Sequence, residues 1–553
     1  MLRDMIRYPL LLLLPLLFVG FGSAPVSADI FPRQPGIDVE HYVFRIGLSD
    51  ATDEISGEAT VRIRFRTDGL TEVALDLASV SAGTGMTVTA VMAIEAMPLG
   101  GQALAFVHQD DRLRVTLPTP SRAGELGGFT VVYQGEPAAG LSIGSNKHGE
   151  RSFFSNNWPH RARQWLPTVD HPYDKATSEF IVTAPSHYQV VSNGRLQETL
   201  DLPGDLRRTH WKQSVPIASW LNALGAARFA VHHAGEVAGV PLQTWVFRQD
   251  RDAGIRDFEP PARQVMEFFS EQIGPYPYEK LANVQAADLG GGMELASAIF
   301  YGENSVKGEG RLTGLVAHEI AHQWFGDSVT EDDWDDVWLS EGFATYFALL
   351  FTEHAFGRDR FVAGLERSRD AVIRFDASNP DYRVVHDELS DMADVLSRQI
   401  YQKGGWTLHM LRGVLGTDEF WSGIREYYRR YRDTNASTDD FRRVMEEVGG
   451  QDLGWFFEQW LYRGGVPRVD GSWRYDADGG RVEIELRQTQ SGDSFRLPLT
   501  VGLSVDGQAE RRVERIELRE RTGRFTIAVD GEPPSVVLDP DVWVLMDATF
   551  ERR

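Results

Sequence analysis

The chain has 553 residues, of which 42% are hydrophobic and 25% charged, and its formal net charge is −24. That length exceeds what one hydrophobic core organises and predicts two to four domains, while the balanced composition excludes a disordered chain. The negative charge argues against nucleic acid as a partner, and the complete lack of cysteine excludes disulfides and thiolate metal sites.

In chain order, Arg3 and Arg7 precede an apolar run from Leu10 to Gly22, which ends in small residues at Val26-Ser27-Ala28. This is the pattern of a signal peptide occupying 1–28, with cleavage after Ala28. Thirteen apolar residues are too few to span roughly 30 Å of hydrocarbon, so the expectation is an exported, periplasmic or secreted protein without a transmembrane anchor in the mature chain. Removing the leader makes the net charge one unit more negative.

From 29 to 227 the pattern is turn-rich and mostly of period two, with strands predicted at Tyr42 to Leu48, Ala59 to Phe65, Arg112 to Leu117 and Phe180 to Thr183. From 228 to 466 the period lengthens. Helices are predicted at Glu259 to Ile273, Thr313 to Phe325, Glu341 to Phe351, Met392 to Val414, Asp418 to Tyr431 and Thr438 to Val448. After the glycine-rich hinge Arg463-Gly464-Gly465-Val466-Pro467, alternation returns at Val482 to Leu486, Leu497 to Val505 and Val513 to Leu518, which suits a small β-sandwich over 467–553. The fold class is therefore multidomain α+β: an N-terminal β domain, a helical domain carrying the chemistry, and a C-terminal β-sandwich. Asn435-Ala436-Ser437 matches a glycosylation sequon, a weak signal by itself.

The helical domain contains His318-Glu319-Ile320-Ala321-His322, an H-E-x-x-H pattern. Positions i and i+4 share one helix face, so His318 and His322 can meet one metal ion with Glu319 beside it. A catalytic zinc takes three protein ligands and keeps a fourth position open. Glu341, separated from His322 by eighteen residues, supplies the third from a helix expected to start near Ser340, with Ser340 as its cap. The set implies one zinc per chain and hydrolysis by activated water, with Glu319 as general base.

Two further segments resemble one family. Leu289-Gly290-Gly291-Gly292-Met293-Glu294-Leu295 and Ile400-Tyr401-Gln402-Lys403-Gly404-Gly405 resemble the G-x-M-E-N and Y-x-K-G motifs of the zinc aminopeptidases that include aminopeptidase N and the leukotriene hydrolase branch, peptidase family M1 among the gluzincins. Gly57-Glu58-Ala59, the stretch Arg163 to Thr177 and the stretch Trp460 to Pro467 extend the resemblance over most of the mature chain. It implies a thermolysin-like middle domain and a metallo-aminopeptidase acting on peptides with a free N-terminus. Glu294 would bind the α-amino group, Gly291, Gly292 and Met293 would contact the substrate backbone, and Tyr401 would donate to the oxyanion. The same resemblance admits an epoxide hydrolase, or a catalytically silent peptide-binding relative. The sequence ends at Arg553, so the large C-terminal helical domain of longer family members is not expected, and a more open cleft is. Departures are Leu295 in place of the family's asparagine and Trp158 in place of its amine-holding Gln or Glu, with Asn156 or Asn157 as the expected substitute. The acidic run Glu331 to Asp336 reads as a solvated loop, one of whose carboxylates could orient a zinc-bound histidine. His160, His171, His232, His233, His354 and His409 read as structural, and Tyr427, Tyr428 and Tyr431 as packing.

Overall fold

The computed structural model describes residues 29, 31–94, 101–386, 389, 391–504 and 511–553; the expected leader at 1–28, and Val505 at the end of one expected strand, lie outside them. The N-terminal part is built on a seven-stranded sheet ordered Arg195–Leu202, Leu206–Ile217, Ala176–Pro185, Ile37–Gly47, Ile55–Phe65, Leu126–Glu136, Gly85–Ala93. Strict alternation along Ile55–Phe65 puts Ala59, Val61 and Ile63 on the buried face. They share a core with Leu141, Phe153, Val190 and Leu224 of a second, four-stranded sheet.

A five-stranded sheet follows, ordered Phe229–Val237, Val240–Phe247, Leu281–Ala286, Ala298–Gly302, Gly292–Met293. The last of these is a two-residue edge strand, antiparallel to its neighbour through Gly292 opposite Tyr301 and Met293 opposite Phe300. Against this sheet pack helices α1 (Arg251–Gln272) and α2 (Thr313–His322), followed by α3 (Trp338–Phe356), α4 (Arg358–Asp376), α5 (Gly404–Leu415), α6 (Thr417–Tyr431), α7 (Thr438–Gly449) and α8 (Gly454–Trp460). The C-terminal part forms two sheets, of four and three strands, that include Arg481–Gln488, Leu497–Leu503 and Arg512–Leu518. Among the described residues no helix is long and apolar enough to cross a membrane.

The expected elements are present, with four differences. Helix α1 starts at Arg251 and runs through Pro260 and Pro261. Helix α4 was not expected because charged residues crowd it, although Phe361, Leu365, Ser368 and Val372 form a buried stripe at helical spacing. Helix α8 was also unforeseen. The expected helix Met392 to Val414 is broken into a 3₁₀ turn at Met392–Asp394, a π-helical turn at Gln399–Lys403, and α5. A π turn rotates the side chains that follow it, and such turns cluster at functional sites.

The parts interlock through polar groups. Lys175 crosses from the N-terminal part and donates to the carbonyls of Asp327 at 2.9 Å and Ser328 at 2.7 Å and to Thr330 Oγ1 at 2.8 Å. Asn435 donates to the carbonyls of Pro172 and Glu331, so the sequon amide is already used within the fold. His409 ties α5 to the C-terminal part: Nε2 donates to the Val542 carbonyl at 2.9 Å, Nδ1 accepts from Tyr346 at 3.0 Å, and the ring stacks on Trp543.

Burial pushes the His409 imidazole down from 6.5 to about 3. The unfolded chain therefore binds a proton that the folded chain refuses, so this contribution to stability is complete above pH 6.5 and lost as pH falls toward 3. At pH 5 the loss amounts to about 2 kcal/mol. The gap in thermal midpoint between the parent protein and a His409→Asn variant should accordingly narrow from pH 7.5 to pH 5; a constant gap would remove His409 from the acid-sensitive groups.

Candidate metal centre and cleft

Helix α2 ends at His322, and one helical turn brings His318 Nε2 within 3.1 Å of His322 Nε2. Helix α3 crosses it and delivers Glu341, whose Oε2 lies 3.3 Å from His318 and 3.4 Å from His322. A tetrahedral zinc with bonds of about 2.0–2.1 Å separates neighbouring donors by about 3.3 Å, so the three atoms already occupy three corners of such a site. Glu341 Oε2 is buried without a hydrogen-bond donor, an arrangement that costs free energy unless a cation faces it. The donor set fits the metal.

The surrounding field points the same way. Burial drives Glu341 up, but the facing His322 and His318 more than offset it and hold the carboxyl well below its usual range. Burial alone would depress His322; Glu294, Glu341 and Glu319 together raise it to about 10. Glu319 and Glu294 are both pushed up, by burial first and then by neighbouring carboxylates. Three buried carboxylates around two imidazoles form a negative well suited to a dication.

The supports of these groups were less legible in the sequence. Ser340 is not the cap of α3, which begins earlier at Trp338; its hydroxyl lies 3.0 Å from His322 Nδ1 instead. With Nε2 turned to the metal, Nδ1 carries the proton and Oγ accepts it, which fixes the ring. Gly326, at φ +115°, makes room: a Cβ there would stand 2.2 Å from Ser340 Oγ. Gly342 and Gly404 let α3 and α5 approach so closely that a Cβ on Gly342 would meet the Gly404 backbone at 3.0 Å. This approach places Tyr401, in the π turn, with its hydroxyl donating to Glu341 Oε1 at 2.8 Å and its ring nearly parallel to His318. Lys403 is a brace: its Nζ donates to the carbonyls of Arg463 and Gly465 in the hinge.

Gly291, Gly292 and Met293 run along the exposed edge of the five-stranded sheet beside α2. Gly292 admits no side chain, because a Cβ would lie 2.2 Å from Glu319 Oε1. Glu294 is buried, and its carboxylate, that of Glu319 and the His322 ring lie within 4.8 Å of one another. Gln323 was not singled out in the sequence, yet it fastens the edge segment to α2. Its Nε2 donates to the Glu294 carbonyl at 2.8 Å and to Asp327 Oδ2 at 2.7 Å, while its Oε1 accepts from Ser297 N and Tyr276.

Two expectations, for Asn157 and for the acidic run, need correction. Asn157 cannot take over a binding role, since its amide is committed to the Asn222 carbonyl and the Trp165 indole. Leu295 is fully buried among Phe154, Phe300 and Trp245, so it packs the core behind the strand. The acidic run is no solvated loop: Glu331, Asp333, Asp335 and Asp336 are all buried, and the three aspartates cap and tie the turn that leads into α3 by accepting from Asp335 N, Leu389 N and Thr438 Oγ1 respectively. Trp158 stands half-buried, edge-on to Trp334 of that turn. The six histidines named as structural fit that reading where partners are visible, as in His171 with Asp29 and His232 with Glu259.

Removing the Ser340 hydroxyl should loosen the metal without moving its ligands. A Ser340→Ala protein is expected to bind zinc about 10- to 100-fold more weakly in competition with a chelator. Unchanged affinity would mean that Ser340 does not orient His322.

Comparison with known proteins bears on this geometry. Residues 260–460 match the peptidase family M1 domain, and residues 38–221 match the peptidase M1 N-terminal domain. "Aminopeptidase A" of Gloydius brevicauda is 28% identical over 361 residues, 62% of this chain and 36% of the relative. "Glutamyl aminopeptidase" of Homo sapiens is 30% identical over 401 residues, 68% of this chain and 41% of the relative. The chain thus spans less than half the length of these two. An M1 zinc metallopeptidase mutant from Deinococcus radiodurans, solved also with a Tyr-Ser-Ala substrate, superimposes with a TM-score of 0.66 at 26% identity, covering 79% of this chain and 97% of that one. The matched stretches include every candidate ligand and both motif segments, and the chain belongs to peptidase family M1.

Proposed function

We propose that the protein is an exported zinc aminopeptidase that removes the N-terminal residue from peptides. The observation that carries this reading is the placement of Glu294: a buried carboxylate at the end of an edge strand, beside Glu319 and His322. A carboxylate fixed at the closed end of a cleft rewards a positively charged α-amine and sets the cut one residue away.

In this reading the zinc, held by His318, His322 and Glu341, supplies Lewis-acid polarisation and acidifies water in the site toward ~7. The free edge of Gly291 to Met293 receives the substrate backbone as an added strand. Glu294 takes the α-ammonium, which also offsets the burial and the nearby Glu341 charge that push Glu294 up. Glu319 lies directly over Gly292 and so over the bound backbone; it accepts a proton from the attacking water and returns it to the departing amine. Tyr401 moves its donor from Glu341 to the oxygen that gains charge, an interaction typically worth ~3 kcal/mol. The reading divides the chain into an N-terminal β domain at 29–227, a thermolysin-like catalytic domain at 228–466 and a β-sandwich at 467–553.

A panel of aminoacyl chromogenic substrates, each tested beside its N-acetylated form, checks the reading: free-amine substrates should turn over and blocked ones should not. A Glu319→Gln protein should keep about one zinc per chain while kcat falls about 10²- to 10⁴-fold. Glu294→Ala should raise KM for free-amine peptides, and an unchanged KM would refute the anchor.

A further inference from the structure

The first described residue of the chain is tied down. Asp29 is 7% exposed, and its backbone nitrogen donates to both carboxylate oxygens of Asp333, at 3.2 and 3.1 Å. Its own carboxylate accepts from His171 Nε2 at 2.9 Å, from Trp334 N at 3.2 Å and from Phe31 N at 3.0 Å. Asp333 is buried as well; it accepts from Arg33 at 2.7 Å and caps the turn that runs into α3. Arg33 is the permanent cation among these contacts of two neighbouring buried carboxylates. A buried carboxylate that receives only a shared amide proton on one side is far better matched by an ammonium group.

Asp29 is also the residue that follows Val26-Ser27-Ala28, the cleavage pattern of the leader. We propose that removal of the leader after Ala28 creates an α-ammonium at Asp29 that remains in place as the ion-pair partner of Asp333. Hydrolysis of the Ala28–Asp29 peptide bond consumes one water and leaves a carboxylate on the released leader and an ammonium on the mature chain. The neutral amide contact becomes a charge-assisted one with three donors. The new terminus pins the N-terminal arm to the turn carrying Trp334, which packs on Trp158, and so to the segment that delivers Glu341. The inference rests on the leader reading and is independent of which peptide bond the enzyme cuts.

Two experiments test it. Full-length protein produced with its leader in a secreting bacterial host should yield a chain starting at Asp29 by N-terminal sequencing and intact mass; any other terminus, or a retained leader, overturns the proposal. Chains starting at Ala28 and at Asp29, prepared with a protease that leaves no scar, should then differ. The Asp29 form is expected to melt about 2 °C or more higher, and Asp333→Asn should abolish that difference. An equal difference in the Asp333→Asn background, or none in the parent, overturns the ion pair. Should Asp333→Asn fail to fold, acylation decides: at neutral pH the α-amine at Asp29 should react with an N-hydroxysuccinimide ester at least about tenfold more slowly than the α-amine at Ala28, and equal rates overturn the proposal.

Discussion

Carboxylates that cannot reach water dominate the heart of this protein. Glu294, Glu319 and Glu341 are all buried within a few ångströms of His322; burial and then neighbouring carboxylates push Glu294 and Glu319 up, the three carboxylates raise His322, and the two histidines hold Glu341 down. Such a cluster is stable only if positive charge is returned to it. Two sources of that charge follow from its layout: a metal between the three converging donors, and an ammonium group beside Glu294. The requirement for cations thus accounts for the metal and, under the function proposed above, for a substrate that carries an ammonium group.

Holding these charges so close demands unusual backbone proximity, and glycine provides it. Gly292 lies under Glu319, Gly326 beside Ser340, and Gly342 against Gly404. Each contact sits where two elements must approach more closely than a Cβ permits, and each delivers one functional group to the cluster. Distant parts share the task. Lys175 of the N-terminal part grips the loop directly after α2, and burial lowers its ammonium to about 7 despite the nearby Asp433, Asp327 and Glu331. The N-terminal part is therefore a structural support of the helix that carries His318 and His322.

The candidate metal ligands were legible in the sequence because a helix converts spacing into direction: His318 and His322 at i and i+4 need only their own helix to meet. Glu341 was legible by chemistry, since a two-histidine site lacking cysteine needs a carboxylate. The strands of the N-terminal part were legible by alternation. What escaped depends on contacts between elements remote in sequence. Ser340 sits at a spacing that suits a helix cap, and only the crossing of α3 over α2 turns it toward His322. Gln323 carries no motif of its own, and its four hydrogen bonds join three segments. The acidic run looked solvated because charge density is read locally, whereas its partners Asp29, Arg33 and Thr438 lie far before and far after it in the sequence. The π turn at Tyr401 has no periodic signature, because one inserted residue alters the helical phase only where packing demands it.

Gln323 has a consequence for the spacing of the site. The residue directly follows His322 in the chain and holds the Glu294 carbonyl through its own amide, so a candidate metal ligand and the edge segment that ends at Glu294 are fastened to adjacent residues at the C-terminal end of α2. Under the function proposed above, that link keeps the interval between cutting point and substrate terminus constant, and the length of peptide taken at each turnover is set by a span too short to stretch.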